Sequence, residues 1–201
     1  MANATNYWGL RPVKHLGGAP WNGVTEKCYI GSDYATALYI GDPVKINTDL
    51  TAAHADAMYT SVEQAAVVTT SPIYGVITSF DDIEGATTIY KPASQERYIN
   101  VCVDPTVIYH IRGDGTGTPI YDWPFSNACM TRGTASTITG LSGISLDEST
   151  PAQAIADPLL ILRAANLPDN ELGDNCIWEV MINTHQLRAA GTGNVTGINK
   201  T

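Results

Sequence analysis

The chain has 201 residues, of which 44% are apolar and 15% are charged, and this suits one domain or two tightly packed β lobes. Eleven Lys and Arg residues against twenty Asp and Glu residues give a formal charge of -9, and the basic residues are scattered, so we expect no nucleic-acid partner. No apolar run approaches membrane-spanning length and the first residues lack a signal-peptide pattern, so we also expect no membrane partner.

The first 33 residues are predicted to form an extended N-terminal arm. They contain several large apolar side chains among glycines, without the periodicity of a strand or a helix. Exposed apolar residues in such numbers usually mark an interface. The interface candidates in this arm are Trp8, Leu10, Arg11, Val13 and Trp21.

Residues 34–188 are predicted to form an all-β body, a β-sandwich or a β-barrel. Glycine and proline residues punctuate short apolar runs along the whole length, and Gly41-Asp42-Pro43 is a typical turn between two such runs. Only Asp104 and Pro105 separate two of the predicted strands, which therefore form either a hairpin or a corner. The predicted strands are 35–40, 44–46, 73–80, 87–90, 98–103, 106–111, 159–164 and 177–183.

At most one or two short helices are expected. Thr150 and Pro151 form a good helix start, which predicts a helix over 150–156. The Ala-rich stretch 50–58 fits either one or two helical turns or an ordered loop. The Gly- and Thr-rich residues 189–201 have little to bury and are predicted to form a flexible C-terminal tail.

The cysteine and histidine residues show no metal-binding pattern. Long, unequal gaps separate the four cysteines, which we predict to be free thiols, and no histidine lies at ligand spacing from them. No cofactor motif is present either. We therefore expect neither a metal nor a cofactor.

Two groups of polar residues have both a chemical and a structural interpretation. Asp81, Asp82 and Glu84 could supply paired carboxylates, but they follow a strand and precede a glycine, which is typical of a turn. The glycine-rich segment 112–117 could bind an anion, or calcium together with Asp122, but it lacks a P-loop ending and is better explained as a wide hairpin loop. No serine lies in a nucleophile motif, so we expect no enzymatic activity and no catalytic residue.

A second aromatic cluster lies in the loop 121–125. Tyr121, Trp123 and Phe125 could form a hydrophobic plug or a contact with another subunit, and they complete the interface candidates. Tyr121 and Trp123 could also stack on a sugar ring.

The chain resembles small structural proteins of tailed-bacteriophage virions, and among these the capsid decoration or cement proteins. The stretches that bear the resemblance are Y-W-G-L-R-P-V at 7–13, Y-A-T-A-L-Y-I-G-D-P-V-K-I at 34–46, P-I-Y-G-V-I-T-S-F at 72–80, V-C-V-D-P-T-V-I-Y-H-I at 101–111 and N-E-L-G-D-N at 170–175. The resemblance implies a jelly-roll-like or β-tulip-like protein, made in the host bacterial cytoplasm. It also implies binding to the major capsid protein on the capsid exterior, as a homotrimer, with stabilisation of the head against internal DNA pressure.

Other functions stay open at this stage. A carbohydrate-binding or host-attachment module on the virion would use Tyr121 and Trp123, and a head–tail adaptor or another minor head protein would share the same β-rich composition. An enzyme would need the carboxylates at Asp81 and Asp82 together with a further partner.

Overall fold

The computed structural model describes residues 3–48, 58–68, 70–81, 88–117, 119–151 and 156–188. These residues contain strands and no helix, which confirms the all-β prediction. In the described ranges there is accordingly no helix long and apolar enough to cross a membrane. The strands are β1 (Arg11–His15), β2 (Glu26–Ile30), β3 (Pro43–Ile46), β4 (Thr60–Gln64), β5 (Gly75–Phe80), β6 (Arg97–Cys102), β7 (Val107–Arg112), β8 (Asn127–Ala128), β9 (Met130–Arg132), β10 (Ile144–Leu146), β11 (Leu159–Ala164) and β12 (Ile177–Ile182).

An antiparallel five-stranded sheet has the order β1-β7-β12-β11-β8. Alternate residues of its strands point to opposite faces, and one face is buried. Trp178, Val180 and Ile182 of β12 lie in this core, as their spacing in the sequence predicts. The short ribbon β9-β10 adds Met130, Ile144 and Leu146 to the same core.

A closed barrel with the order β2-β4-β3-β5-β6 forms the second unit of structure. All its pairs are antiparallel except β2 with β4, which run parallel. Alternation again separates two faces: Ile99 and Val101 of β6 point into the barrel core. Cys102 of β6 and Val76 of β5 belong instead to the core of the five-stranded sheet, so the outside of the barrel packs against that sheet.

The two strands on either side of Asp104 and Pro105 form a corner. β6 belongs to the barrel and β7 to the five-stranded sheet, so they do not pair with each other as a hairpin. The side chain of Asp104 fixes the corner, because its Oδ1 atom accepts hydrogen bonds from the backbone N–H of Thr106 at 2.7 Å and from the Thr106 hydroxyl at 2.7 Å.

The prediction of an extended arm over the first 33 residues is wrong for the residues that the structure describes. β1 is an edge strand of the five-stranded sheet, paired with β7, and β2 is a barrel strand. Leu10, Cys28 and Ile30 are each at most 1% exposed. Neither strand has a clear alternating pattern in the sequence, because β1 is mostly half-buried and β2 includes the polar residues Glu26 and Lys27.

Several other strand predictions need correction. Residues 35–40 make only isolated bridges, Leu38 with Lys91 and Ile40 with Leu141, because consecutive residues pair with different parts of the chain. Residues 88–90 are not a strand, and Thr87 lies outside the described residues. β4, β8, β9 and β10 were not predicted. The Ala-rich stretch before residue 58, most of the predicted helix 150–156 and the tail 189–201 also lie outside the described residues.

All four cysteines are buried thiols, and no disulfide joins them. Burial raises the pKa of Cys28 to about 12 and the pKa of Cys176 to about 11, so both are protonated thiols at neutral pH. They act as small apolar side chains in the two cores.

Candidate functional site

An apolar groove with a volume of about 370 Å³ lies where the N-terminal residues meet the barrel. We call it the aromatic groove. Of the interface candidates predicted from the sequence, Trp8, Leu10, Arg11 and Trp21 line it. The remaining lining residues are Pro12, next to Arg11, and residues from three other places in the chain: Ile40, Ile77 with Thr78, and Leu141.

Two glycines allow the N-terminal residues to approach the barrel so closely. Gly9 and Gly41 have φ angles of +74° and +94°, in the left-handed region that favours glycine. A Cβ atom on Gly41 would lie 2.2 Å from the carbonyl oxygen of Trp8, and one on Gly9 would lie 2.4 Å from the carbonyl oxygen of Gly41. The backbone N–H of Leu10 donates to that carbonyl of Gly41 at 2.9 Å. The contact therefore joins the Trp8-Gly9-Leu10 stretch to the Gly41-Asp42-Pro43 turn.

Trp21 reaches the groove because the chain turns back after β1. The backbone N–H of His15 donates to the carbonyl of Ala19 at 2.8 Å, and the N–H of Trp21 donates to the carbonyl of Val13 at 3.1 Å. Trp21 is half-buried and packs against the sheet core. Val13 itself is half-buried in β1 and does not line the groove.

The guanidinium group of Arg112 packs over the ring of Trp8. The guanidinium carbon of Arg112 lies 4.6 Å from the centre of the Trp8 ring, in cation–π geometry. Nη1 of Arg112 also donates to the carbonyls of Ala4 and of Asn175, the latter at 2.9 Å. These contacts fix the segment that leads into the groove.

Basic side chains surround one buried carboxylate beside the groove. Glu179 accepts hydrogen bonds from Nζ of Lys14 at 2.7 Å and from Nε of Arg163 at 2.8 Å, and Nε2 of His110 lies 3.8 Å away. Burial alone would raise the pKa of Glu179, but these two hydrogen bonds hold it below its ordinary value. Burial also lowers the pKa of His110. Arg11 lies opposite His110 in the pairing of β1 with β7, so it extends this row of basic side chains toward the groove.

The loop 121–125 does not act as a single cluster. Tyr121 is 88% exposed and Phe125 is 45% exposed, with a left-handed φ of +67°. Trp123 is only 8% exposed and packs against Trp178, with ring centres 5.3 Å apart. Trp123 is therefore the hydrophobic plug that anchors the loop, and it is not available to stack on a sugar or to contact another subunit.

Asp81, one of the carboxylates considered for catalysis, is paired within the fold. Oδ2 of Asp81 lies 2.7 Å from Nζ of Lys27, and this hydrogen bond lowers the pKa of Asp81, while Asp82 and Glu84 lie outside the described residues. Nδ1 of His15 lies 3.2 Å from Asp104. No group of three or more metal-binding side chains occurs among the described residues.

The glycine-rich segment 112–117 is not a hairpin loop, because β7 pairs with β1 and β12 and neither of these strands follows it directly. The segment instead wraps around the buried Glu148, which no sequence pattern singles out. The backbone N–H of Gly115 donates to Oε2 of Glu148 at 2.8 Å. A Cβ atom on Gly113 would lie 1.8 Å from Oε1, so glycine is required there to make room for the carboxyl group.

The aromatic groove suits the binding of apolar side chains from a partner, with Arg11 at its edge to fix orientation. The walls of the groove come from segments far apart in the sequence. In the sequence, only the aromatic and glycine residues near the N-terminus indicated part of it. No protein-family model matches this chain, and no curated protein or solved structure is significantly similar to it.

Proposed function

We propose that this protein is a structural component of a tailed-bacteriophage virion, which binds the outer surface of the capsid lattice as a homotrimer and stabilises the head. The observation that supports this most is the aromatic groove, which brings together Trp8, Leu10, Arg11 and Trp21. Three of them, Trp8, Leu10 and Arg11, lie within the stretch 7–13 that resembles decoration proteins.

Two features of the surface support binding to a partner over an extended contact area. The groove offers apolar walls that a partner side chain would desolvate, and aromatic residues in such pockets contribute most of the energy of protein interfaces. The segment 120–125 is the second candidate site, because Ile120, Tyr121 and Phe125 are exposed there, at 44%, 88% and 45%. Strand β1 carries Arg11 and Pro12 of the groove, and the buried Trp123 anchors the segment 120–125, so binding requires little ordering of the chain.

The decisive experiment is to locate the protein in purified particles of the phage whose genome encodes it. Mass spectrometry of those particles should detect the chain, and an electron-microscopy map should show it outside the capsid shell. Density at the portal vertex would favour a head–tail adaptor instead. Absence from the particles would overturn the proposal.

Variants then test the groove. Particles that lack the protein are incubated with purified chain, and the bound copies are counted after sedimentation. We expect Trp21→Ala and Arg11→Ala each to weaken binding at least about tenfold, as hot-spot losses at interfaces do. Tyr121→Ala is the matched comparison, since it removes an exposed aromatic side chain from the other site. Full binding by both groove variants, with a loss for Tyr121→Ala, would move the interface to the loop 120–125.

A further inference from the structure

A second cavity, distinct from the aromatic groove, lies at one end of the barrel and has a volume of about 300 Å³. We call it the polar cleft. Asp42 directly precedes β3 and Gln64 ends the antiparallel β4, so both side chains lie at the same end of the barrel. The ribbon β9-β10 closes the cleft from the other side with Arg132 and Thr134, and the loop before β3 adds Thr36 and Tyr39. Mouths of β-barrels are common ligand sites.

The floor of the cleft is polar, and hydrogen bonds hold its side chains in place. Asp42 is 2% exposed, and its carboxylate accepts hydrogen bonds from the Ser142 hydroxyl at 2.5 Å and from the Tyr39 backbone N–H at 2.9 Å. The side-chain amide of Gln64 donates to the same carboxylate at 3.5 Å. These bonds preorganise Asp42 and Gln64, so a ligand would meet groups that are already in position.

The rim of the cleft carries hydrogen-bonding groups that the fold leaves available. Arg132 is exposed, and the one hydrogen bond of its side chain within the described residues is a long one, 3.4 Å from Nη2 to the carbonyl of Ala65. The hydroxyls of Thr36 and Thr134 are exposed and have no protein hydrogen bond in the same described ranges. A guanidinium group and two hydroxyls therefore converge on a space that already contains a carboxyl and an amide group.

An aromatic ring completes the cleft. Tyr39 stacks on Tyr90, with ring centres 5.0 Å apart and an angle of 9° between the planes, so its ring is held in a fixed orientation. Tyr39 also lines the cleft, which places an aromatic residue beside the polar rim.

From this arrangement we propose that the polar cleft binds a saccharide residue. Sugars present an apolar C–H face, which packs on an aromatic ring, and a rim of hydroxyls, which pair with guanidinium, amide and carboxyl groups. A nucleotide or a free phosphate fits less well, since Arg132 is the only cation among the lining residues that the structure describes. The polar cleft lies apart from the aromatic groove, so sugar binding does not depend on binding to a capsid.

The test is saturation-transfer NMR on the purified full chain with glucose, galactose, N-acetylglucosamine and glucuronic acid as probes. We expect at least one of these sugars to bind with a dissociation constant on the order of 1 mM, as a small site with few contacts allows. Arg132→Ala and Thr134→Val, both at exposed positions, should each weaken that binding at least about fivefold, with unchanged thermal melting. Arg11→Ala is the matched control, because it removes a guanidinium from the aromatic groove and should leave sugar binding intact.

The outcomes separate this proposal from the proposed function. Failure of all four sugars to bind at tens of millimolar would overturn it, as would binding that survives both Arg132→Ala and Thr134→Val. Loss of sugar binding in Arg132→Ala together with unchanged binding to phage particles would show that the two sites work independently.

Discussion

At the scale of single residues, Gly41 combines a left-handed backbone with a close backbone contact, and both exclude a side chain. Its φ is +94°, and a Cβ atom would lie 2.2 Å from the carbonyl oxygen of Trp8. The substitution Gly41→Ala should therefore add both backbone strain and a backbone clash, and lower the free energy of unfolding by about 3 kcal/mol. Urea denaturation of the purified protein measures this loss.

The matched control for that substitution is Gly18→Ala. Gly18 has a similar φ of +90°, but a Cβ atom there would meet nothing within 4 Å. The control should cost only the conformational strain, about 1 kcal/mol. Equal losses in the two variants would mean that the contact between Gly41 and Trp8 does not contribute.

Glu148 makes the stability of the protein depend on pH. The residue is 2% exposed, and burial raises the pKa of its carboxyl group from 4.5 to about 7, although the N–H of Gly115 favours the charged form. Nearby Asp114 and Asp174 raise the pKa further. The folded protein thus keeps a proton that the unfolded chain has already lost, so stability falls as pH rises from 4.5 through 7.

The substitution Glu148→Gln tests this dependence, since glutamine cannot ionise. Between about pH 5 and about pH 8 the unaltered protein should lose on the order of 2 kcal/mol relative to the variant. Burial lowers the pKa of His185 to about 4, so His185 makes stability rise with pH. This contribution is the same in both proteins. The measurement is urea denaturation at the two pH values, and parallel changes in the two proteins would rule out Glu148 as the cause.

At the scale of elements, the sequence was informative where strands are buried and alternate. β6, β7, β11 and β12 lie within one residue of their predicted bounds, because β6 and β12 have apolar residues at every second position and β7 and β11 begin with continuous apolar runs. β1 and β2 were missed because edge position and polar residues hide the alternation. Residues 35–40 look like a strand but pair with two distant segments, and pairing between distant segments leaves no local signal. The aromatic groove and the polar cleft could not be predicted for the same reason, since their walls meet only through tertiary packing.

Strand β1 is part of the five-stranded sheet and Leu10 is part of its core, and this predicts the effect of deleting them. Deletion of residues 2–22 would remove β1 from the edge of the five-stranded sheet and Leu10 from its core. Leu10→Ala alone should destabilise the protein by about 3 kcal/mol, because it leaves a cavity at a position that is 1% exposed. The truncated chain should therefore lose its cooperative thermal transition.

Leu16→Ala is the control for that prediction. Leu16 follows β1 directly but is 58% exposed, so its truncation should change the free energy of unfolding by less than about 0.5 kcal/mol. Should Leu10→Ala and the deletion both melt like the unaltered protein, the N-terminal residues would be an accessory segment after all.

At the scale of the whole molecule, the barrel is an insertion between two parts of the five-stranded sheet. The chain enters the sheet as β1, forms the barrel with β2 to β6, and returns to the sheet at β7. Val76 and Cys102 point outward from the barrel into the sheet core, and the Tyr109 hydroxyl contacts Cys102 at 3.4 Å. Because strands of the barrel contribute these residues to the core of the sheet, neither unit can open without exposing apolar surface of the other.

We therefore expect the barrel and the sheet to unfold in a single transition. The fluorescence of Trp123 and Trp178 reports on the sheet core, and hydrogen exchange of the β2 and β6 amides reports on the barrel. Both probes should give the same urea midpoint. Val76→Ala removes packing at the junction and should lower both midpoints together, by the equivalent of about 2 kcal/mol. The variant could instead lower the midpoint of the barrel amides and leave the midpoint of the tryptophan fluorescence unchanged. The two units would then unfold independently, and Val76 and Cys102 would not couple them.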